Sequence, residues 1–331
     1  MSKNLRAGLV GLGAMGRHHA RVLSSLPGVD FVGVSDPAGD LNGVAQGRPT
    51  VPTVAELISL GIDYAMVAVP TIYHLEIGSE LAAAGIHAMV EKPLSHDVLT
   101  SKALAKAFLD AGLIGAVGHI ERYNPALQEA RRRLEQLGSL YQVVTRRQGP
   151  FPSRIADVGV VKDLATHDID LTSWITNQRY ASVSARTALR TGREHEDLVV
   201  VVGTLEDGTI TNHLVNWLSP LKERVTILTG EKGAFVADTL TADLTFYANG
   251  TVTSQWDEIA QFRGVSEGDV IRYAISKHEP LRMEHENFRD AVLGKPADIV
   301  TMEQGLATVV VAEAIIESSR LNSTITLPLA G

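Results

Sequence analysis

Six residues near the start of the chain, Gly11-Leu12-Gly13-Ala14-Met15-Gly16, constrain the fold more than any other stretch. They follow an apolar strand candidate, Leu5 to Val10, and open a helical pattern that ends at Pro27-Gly28. In such a pattern the first glycine permits a tight turn, the second admits a pyrophosphate to the backbone, and the third lets the helix pack on the strand. The pattern therefore predicts a dinucleotide site at a helix N-terminus, which favours phosphate groups.

An acidic residue supports this prediction at the expected distance. Asp36 lies twenty residues beyond Gly16 and ends a second strand candidate, Phe31 to Ser35. A carboxylate at this position accepts a hydrogen bond from a ribose 2′-hydroxyl and repels a 2′-phosphate, so NAD is favoured while NADP stays open. The same strand and turn geometry also serves flavin proteins, and a related one serves methyltransferases that bind an adenosyl cofactor.

Two different patterns divide the chain. Strands and helices alternate up to about residue 121, which predicts a doubly wound, Rossmann-type parallel sheet. From Tyr180 to Tyr247 strands follow one another with hairpin signals, which predicts a large, mainly antiparallel sheet in an α+β domain. A chain of 331 residues exceeds the usual size of one core, about 150 residues. We expect a dinucleotide-binding domain at 1–121 and a second domain, for substrate and oligomerisation, at 122–331.

Composition excludes several classes of function. A net charge of −8 argues against nucleic acid or an anionic membrane as the main partner. The chain has no cysteine, which rules out disulfides and thiolate chemistry. No metal site is expected, because neither Glu194-His195-Glu196-Asp197, interpreted as a solvated loop, nor Glu284-His285-Glu286, near a helix start, has metal-ligand spacing. Without a signal-peptide pattern or a membrane span, a cytoplasmic protein is expected.

Two later strand ends carry candidate site residues. Val69-Pro70-Thr71 through His74 follows one strand, and Glu91-Lys92-Pro93 follows another. The carboxyl ends of parallel strands form the ligand crevice of a doubly wound sheet, so a lysine here is poised over the cofactor. Thr71 could contact ribose or phosphate, or could instead cap the next helix. His74 could lie near the nicotinamide, although a core position is the alternative.

A third cluster lies in the second half of the chain, from Gly159 to Asp168. In a helix Asp163 and His167, four residues apart, share one face, and a carboxylate one turn from an imidazole can orient it as a general base. The alternative is an exposed pair, which would contribute only about 0.2–0.5 kcal/mol to helix stability. The apolar residues around the pair favour at least partial burial.

Taken together and in this order, the fingerprint, the Val69-Pro70-Thr71 turn with His74, Glu91-Lys92-Pro93 and Asp163 with His167 resemble the Gfo/Idh/MocA family, named for glucose–fructose oxidoreductase and inositol dehydrogenase. The resemblance covers essentially the whole chain. It implies NAD(P)-dependent oxidation or reduction of a sugar, cyclitol or sugar nucleotide. It also implies that the open sheet of the second domain joins subunits into a homodimer or homotetramer.

The resemblance also implies roles for individual residues. Lys92 would hydrogen-bond the reacting oxygen, His167 would exchange its proton, and Asp163 would orient the site and bind a neighbouring hydroxyl, so these three residues would contact substrate. We expect the cofactor contacts to come from the fingerprint, the second strand and the two later strand ends: Gly11, Gly13, Ala14, Met15, Gly16, Asp36, Val69, Pro70, Thr71, His74, Glu91 and Lys92.

One further stretch, residues 118–125, resembles a subgroup of UDP-N-acetylhexosamine 3-dehydrogenases. Arg122 and Asn124 are then candidate substrate contacts. The alternative is a hinge and helix start, with Asn124 as the N-cap and Pro125 at the first helical position.

Two other classes of function stay open at this point. A non-catalytic redox regulator would bind the dinucleotide without turnover, and the set of Lys92, Asp163 and His167 argues against it. A glycosidase that uses NAD transiently would need a carboxylate or tyrosine placed for the leaving group.

Overall fold

The computed structural model describes residues 4–151, 158–250 and 268–328. Within these ranges the chain divides into two compact units. The first unit takes Met1–Ile120 and Glu279–Glu313, and the second takes Glu121–His278 and Ala314–Gly331. Residues 279–313, assigned from the sequence to the second domain, therefore pack with the first unit.

The sheet of the first unit has six strands, all parallel to their neighbours, among the described residues. In spatial order they are β3 (Thr50–Val51), β2 (Val29–Ser35), β1 (Leu5–Val10), β4 (Tyr64–Val67), β5 (His87–Glu91) and β6 (Gly115–Gly118). The helices between them are α1 (Ala14–Leu23), α2 (Val54–Ser59), α3 (His74–Ala83) and α4 (Val98–Asp110).

Both faces of this sheet are covered. Neighbouring residues of β4 point to opposite sides, where Val67 joins one buried apolar cluster and Met66 another. The first cluster includes side chains from α2, α3 and α4, and the second includes side chains from α1. This explains why β4 is apolar throughout rather than alternating. The predicted doubly wound parallel sheet is confirmed.

Residues 279–313, which pack with the first unit, add a helix to one face of its sheet and a backbone contact at the edge of that sheet. Phe288, on α7 (Pro280–Val292), packs against Tyr64 with ring centroids 5.5 Å apart. At the edge strand β6, the Val117 N–H donates to the Val300 carbonyl at 2.9 Å. The long helix α8 (Met302–Leu321) then begins with Met302 buried in the first cluster.

In the second unit the described residues form a nine-stranded sheet. Its spatial order is β14 (Val270–Arg272), β13 (Asp243–Ala248), β12 (Gly233–Asp238), β11 (Leu218–Gly230), β7 (Leu140–Pro150), β10 (Ile210–Asn216), β9 (Leu198–Leu205), β8 (Tyr180–Ala188) and β15 (Ile325–Thr326). The β7–β10 pair is parallel and the others are antiparallel. The predicted mainly antiparallel sheet is confirmed.

Two helices cover one face of this sheet. α5 (Pro125–Arg132) contributes Leu127 and α6 (Thr166–Thr176) contributes Trp174 to a core that also holds Phe235 of β12. A π-helical turn, Val161–Ala165, leads directly into α6. The described part of the chain contains no helix long and apolar enough to cross a membrane.

Candidate active site

The glycine loop has the geometry that its sequence predicts. Gly11 has φ of +93°, and a Cβ there would lie 2.5 Å from the Ala68 carbonyl oxygen. A Cβ on Gly16 would lie 2.1 Å from the Gly11 carbonyl oxygen, so the start of α1 packs against the loop only without a side chain. Gly13, the N-cap of α1, has no atom within 4 Å of an added Cβ. The open space above Gly13, at a helix N-terminus, fits a pyrophosphate.

Asp36 has a structural contact that the sequence did not predict. Its Oδ2 accepts a hydrogen bond from the Leu12 N–H at 2.8 Å, and its Oδ1 accepts one from the Ala38 N–H at 2.9 Å. The carboxylate therefore ties the glycine loop to the end of β2. Because each carboxylate oxygen has further acceptor capacity, a ribose hydroxyl can still donate to Asp36.

The turn after β4 is held by His74 at the start of α3. The ring is 1% exposed, with Nδ1 3.0 Å from the Pro93 carbonyl oxygen and Nε2 3.1 Å from the Val69 carbonyl oxygen. Burial lowers the pKa of His74, against the opposing effect of these carbonyls. His74 thus links the two strand-end turns, and its direct contact with a cofactor stays a prediction.

Thr71 lies in a short 3₁₀ helix, Thr71–Tyr73, between β4 and α3. The N-cap of α3 is Tyr73, which makes no capping side-chain hydrogen bond. The alternative that Thr71 caps this helix is therefore wrong. Its contact with a ribose or phosphate stays a prediction.

Lys92 follows β5 at the carboxyl edge of the sheet and precedes a cis peptide bond to Pro93. The Lys92 N–H donates to Oε2 of Glu91 at 3.1 Å, and the other oxygen of Glu91 lies 2.8 Å from Nε2 of His19. Burial alone would raise the pKa of Glu91, but the hydrogen bond and charge of His19 together with Lys92 lower it. The residue before the lysine is therefore an ionised, fixed carboxylate.

Two histidines that the sequence patterns did not predict lie behind the turn at Lys92. His19 on α1 and His285 on α7 are buried, and Nδ1 of His19 lies 2.9 Å from Nε2 of His285. Burial, followed by the charge of His19, lowers the pKa of His285. The only signal in the sequence was a histidine three residues after Gly16; nothing around His285 distinguished it from an exposed helix residue.

In the second unit, Asp163 lies in the π-helical turn and His167 in the first turn of α6. Asp163 is 6% exposed and His167 is half-buried. The pair is therefore not on one regular α-helix, as the four-residue spacing had suggested. Single π turns inside helices are frequent at functional sites.

A loop interpreted as solvated holds this turn in place. Oε1 of Glu196 accepts from the Val161 N–H at 3.0 Å, and the Glu196 carbonyl accepts from the Val160 N–H at 2.9 Å. Gly159 makes the approach possible, since a Cβ there would lie 2.0 Å from Glu196 Oε1. Asp197 is 1% exposed and accepts from the N–H groups of Arg190 and Thr191. The solvated-loop interpretation was wrong for these two acids.

Buried ion pairs support α6 immediately after His167. Nε of Arg147 lies 2.9 Å from Oδ2 of Asp168, and Nη1 of Arg147 lies 2.9 Å from Oε1 of Glu121. Burial raises the pKa of Asp168, and the opposing charge of Arg147 limits the rise. Nε and Nη2 of Arg122 donate to Oδ2 and Oδ1 of Asp170 at 2.8 and 2.6 Å, respectively.

Asn124 is the N-cap of α5 and accepts from the Ala126 N–H at 3.0 Å, with Pro125 at the start of the helix. Its Nδ2 donates to the Thr239 carbonyl at 3.0 Å. The predicted helix start is confirmed. Substrate contacts of Arg122 and Asn124 stay predictions.

Two family models match the chain. One, for the NAD-binding Rossmann fold of the Gfo/Idh/MocA oxidoreductase family, covers residues 5–119, and the other, for the C-terminal alpha/beta domain of the same family, covers residues 137–327. The chain belongs to the Gfo/Idh/MocA oxidoreductase family. It is an NAD-dependent enzyme that acts on CH–OH groups.

Named relatives agree with this assignment. UDP-N-acetylglucosamine 3-dehydrogenase of Acidithiobacillus ferrooxidans is 29% identical over 294 residues, which cover 87% of this chain and 89% of that protein. The scyllo-inositol 2-dehydrogenase (NAD(+)) of Bacillus subtilis is 31% identical over 196 residues, covering 56% of this chain and 57% of that protein. The solved structure of UDP-N-acetylglucosamine 3-dehydrogenase GnnA from Acidithiobacillus ferrooxidans matches 96% of this chain and 98% of its own, with a TM-score of 0.84 and 24% identity. At 24% identity, the similarity to this solved structure shows the fold alone.

Proposed function

We propose that this enzyme oxidises a secondary alcohol of a sugar, cyclitol or sugar nucleotide, with the 3-hydroxyl of a UDP-N-acetylhexosamine as the first candidate. The observation that carries the proposal is Lys92, which follows β5 at the same sheet edge as the open glycine loop. The long match to a UDP-N-acetylglucosamine 3-dehydrogenase supports the choice of substrate.

Each catalytic residue has a separate part in the proposed reaction. Lys92 donates a hydrogen bond to the reacting oxygen and so stabilises the negative charge that develops there. His167 takes the hydroxyl proton during oxidation and returns one during reduction, while Asp163 binds a neighbouring hydroxyl. NAD supplies the hydride acceptor, so the protein itself contributes positioning and proton transfer.

Contacts with the cofactor are proposed for the glycine loop and the strand ends. The loop from Gly11 to Gly16, with Ala14 and Met15 at the start of α1, would hold the pyrophosphate through backbone N–H groups. Asp36 would accept from the ribose, which favours NAD. Val69, Pro70, Thr71 and Glu91 complete the proposed contacts at the neighbouring strand ends.

Turnover of defined substrates tests this proposal. The purified enzyme is incubated with NAD and, separately, UDP-N-acetylglucosamine, UDP-N-acetylgalactosamine, myo-inositol, scyllo-inositol and glucose, and NADH formation is followed by absorbance. We expect the largest kcat/KM for a UDP-N-acetylhexosamine. A larger value for an inositol would instead favour the function of the Bacillus subtilis relative. NAD binding without turnover of any of these compounds would support a regulator.

Substitution of Lys92 and of His167 tests the catalytic roles proposed for these two residues. We expect Lys92→Ala and His167→Ala each to lower kcat by about 10²–10⁴-fold while the Kd for NAD changes little. Lys106→Ala is the matched control, because Lys106 is exposed and its Nζ lies 2.6 Å from Oδ2 of the exposed Asp110. Near-normal kcat in either active-site variant would contradict the assignment.

We also propose that a second copy of the chain covers the open face of the nine-stranded sheet. A row of aligned neighbours crosses five strands on this face, and none of its members is charged: Val202, Asn212, Val144, Ile227 and Val236. Val202, on β9, is 47% exposed. A two-fold dimer or a tetramer would bury this row. We expect Val202→Glu to lower the oligomeric mass measured by light scattering, whereas a monomeric wild type would refute the assembly.

The cytoplasmic location expected from the sequence stays part of the proposal, and cell fractionation would test it.

A further inference from the structure

Two buried histidines and the partly buried Glu91 form a continuous chain of hydrogen bonds that ends beside Lys92. Nε2 of His285 lies 2.9 Å from Nδ1 of His19, and Nε2 of His19 lies 2.8 Å from Oε1 of Glu91. His19 is 0% and His285 is 1% exposed. The two histidines are 266 residues apart in sequence but belong to the same compact unit. We call these residues the His285–His19–Glu91 chain.

The arrangement fixes the direction of its protons. Glu91 as a carboxylate can only accept, so Nε2 of His19 carries the proton between them. Nδ1 of His19 then accepts from the Nε2–H of His285. In this tautomer Nδ1 of His285 carries no proton, and it is buried without a hydrogen-bond partner among the described residues. The reverse direction would leave a buried N–H without an acceptor, which is costly. Every donor therefore points toward Glu91.

The charged and titratable groups around Glu91 support this direction. From its own strand end comes Lys92, whose N–H donates to Oε2 at 3.1 Å. His19 faces it from α1, and the charge of Glu91 also acts on the buried His74 of α3. Burial lowers the pKa of His285, so the end of the chain on α7 stays neutral.

We propose that His19 and His285 are positioning residues for Lys92: their aligned N–H donors hold the Glu91 carboxylate ionised and fixed beside the lysine. The inference rests on the proposed catalytic role of Lys92. The carboxylate supplies a fixed negative charge next to the lysine. Its second oxygen orients the Lys92 backbone at the same time.

The test compares His19→Leu, which removes the donor, with His19→Gln, whose amide N–H can take the place of imidazole Nε2–H. The intact protein, with NAD bound, is treated briefly with acetic anhydride near neutral pH. Mass spectrometry then gives the acetylation rate of Lys92 relative to that of the exposed Lys102 in the same sample. We expect a roughly three- to tenfold higher relative rate in His19→Leu, since Glu91 without its His19 donor tends to take up a proton and loses its charge. In His19→Gln the rate should stay within about twofold of wild type.

The second measurement is the pH profile of kcat/KM with the best compound of the substrate panel. Glu91 has a pKa below its usual value, so activity that needs its charge is present at neutral pH and lost as pH falls. We expect the acidic limb to move to higher pH by about one unit in His19→Leu and to stay in place in His19→Gln. A general packing defect would lower activity without moving this limb.

The histidine tautomers are read directly from ¹⁵N shifts of the labelled imidazoles. We expect His19 and His285 to carry their protons on Nε2 in the wild type, and His19 to keep its Nε2 proton in His285→Leu because Glu91 still accepts it. A proton on Nδ1 of wild-type His285, or an unchanged Lys92 acetylation rate in folded His19→Leu, would overturn the proposal. Because acetylation and ¹⁵N shifts need no substrate, a wild type without turnover would refute the proposed function and leave these two readouts to decide the inference.

Discussion

The two units hold their candidate catalytic residues in different ways. In the first unit the surroundings of Lys92 are fixed by polar groups around a single carboxylate: His19 donates to Glu91, and His74 faces the carbonyls of Val69 and Pro93. In the second unit the helix that begins beside His167 rests on buried pairs of full charges, among them Arg147 with Asp168.

This difference has consequences for both stability and chemistry. Removing one partner of a buried ion pair leaves an uncompensated charge, which typically costs about 3–5 kcal/mol. Losing a hydrogen bond between a neutral donor and its acceptor costs about 1–3 kcal/mol, mostly through the unsatisfied group. We therefore expect substitutions of Arg147 or Asp168 to act mainly on folding. Substitutions of His19 should act mainly on the reactivity of Lys92.

The largest expected effect comes from Arg147→Met. Asp168, at 2% side-chain exposure, would lose the arginine that lies 2.9 Å from its Oδ2, so the free energy of unfolding in urea should fall by about 3–5 kcal/mol. Arg147→Met combined with Asp168→Leu should recover part of this loss, because the most buried acid is then gone while Glu121, at 17% side-chain exposure, still lacks its arginine. A loss below about 1 kcal/mol in the single variant would remove the contrast between the two units.

A matched pair of glycine substitutions tests the first unit. Gly16→Ala places a Cβ 2.1 Å from a backbone carbonyl oxygen, so both the Tm and the affinity for NAD should fall. Gly13→Ala meets no atom within 4 Å, so the Tm should stay near wild type. The methyl group would instead occupy the space proposed for the pyrophosphate and weaken NAD binding by roughly tenfold. Fluorescence titration measures the Kd for NAD. A Kd for Gly13→Ala equal to that of wild type would argue against phosphates next to Gly13.

The pH dependence of stability sharpens the comparison, because the second unit also buries a neutral histidine. Nδ1 of His213 lies 2.8 Å from Oγ1 of Thr145, and Nε2 lies 2.7 Å from the Tyr180 hydroxyl. Burial lowers the pKa of His213 to about 3. Between this value and the unfolded value of about 6.5 the unfolded chain binds the extra proton, so stability falls as pH falls.

At pH near 5 this histidine should reduce the free energy of unfolding by up to about 2 kcal/mol relative to neutral pH. Urea unfolding of wild type and His213→Gln across this range measures the effect. The variant should be less stable at neutral pH but show a flatter dependence. Identical pH slopes for the two proteins would contradict the assignment of a neutral buried His213.

The smallest expected effect concerns Asn124, where a cap and a substrate contact make different predictions. Asn124→Ala should lower the free energy of unfolding by about 1 kcal/mol, because it removes the acceptor for the Ala126 N–H. Asn124→Ser keeps a good N-cap and should recover most of that stability. Because Asn124→Ser keeps the cap, an increase in KM for the panel substrate in this variant would support a substrate contact of Asn124. An unchanged KM would leave Asn124 with the capping role.

Much of the fold was predictable because its signals are local. The Leu5–Val10 strand, the glycine loop and the apolar strands β4 and β5 are each specified within a few residues of sequence. The short β3 and α2 were missed, since two strand residues and six helical residues give too little periodicity to recognise. The parallel pairing of β7 with β10 was also missed, because it depends on how distant strands align and not on their composition.

The assignments of Lys92, Asp163 and His167 come from sequence motifs, and they stay predictions. The groups that support these residues were not predictable. His285 contacts a residue 266 positions away, and Glu196 caps a turn 35 positions away, so neither partner is visible from the local pattern. Glu196 and Asp197 had been interpreted as solvated because they lie in a charged, glycine-flanked stretch. Burial of such acids is decided by the backbone N–H groups that the fold brings to them.

The return of residues 279–313 to the first unit also bears on how the protein is made. The Val117 N–H on the edge strand β6 finds its acceptor in Val300, and Met302 and Val309 enter the apolar cluster on one face of the same sheet. A ribosome has synthesised more than 300 residues before this edge is complete, so the nascent Rossmann sheet exposes an unpaired strand and apolar surface for most of translation. We expect a fragment of residues 1–120 to aggregate when expressed alone. Production of this enzyme should therefore respond strongly to the supply of chaperones that shield nascent chains.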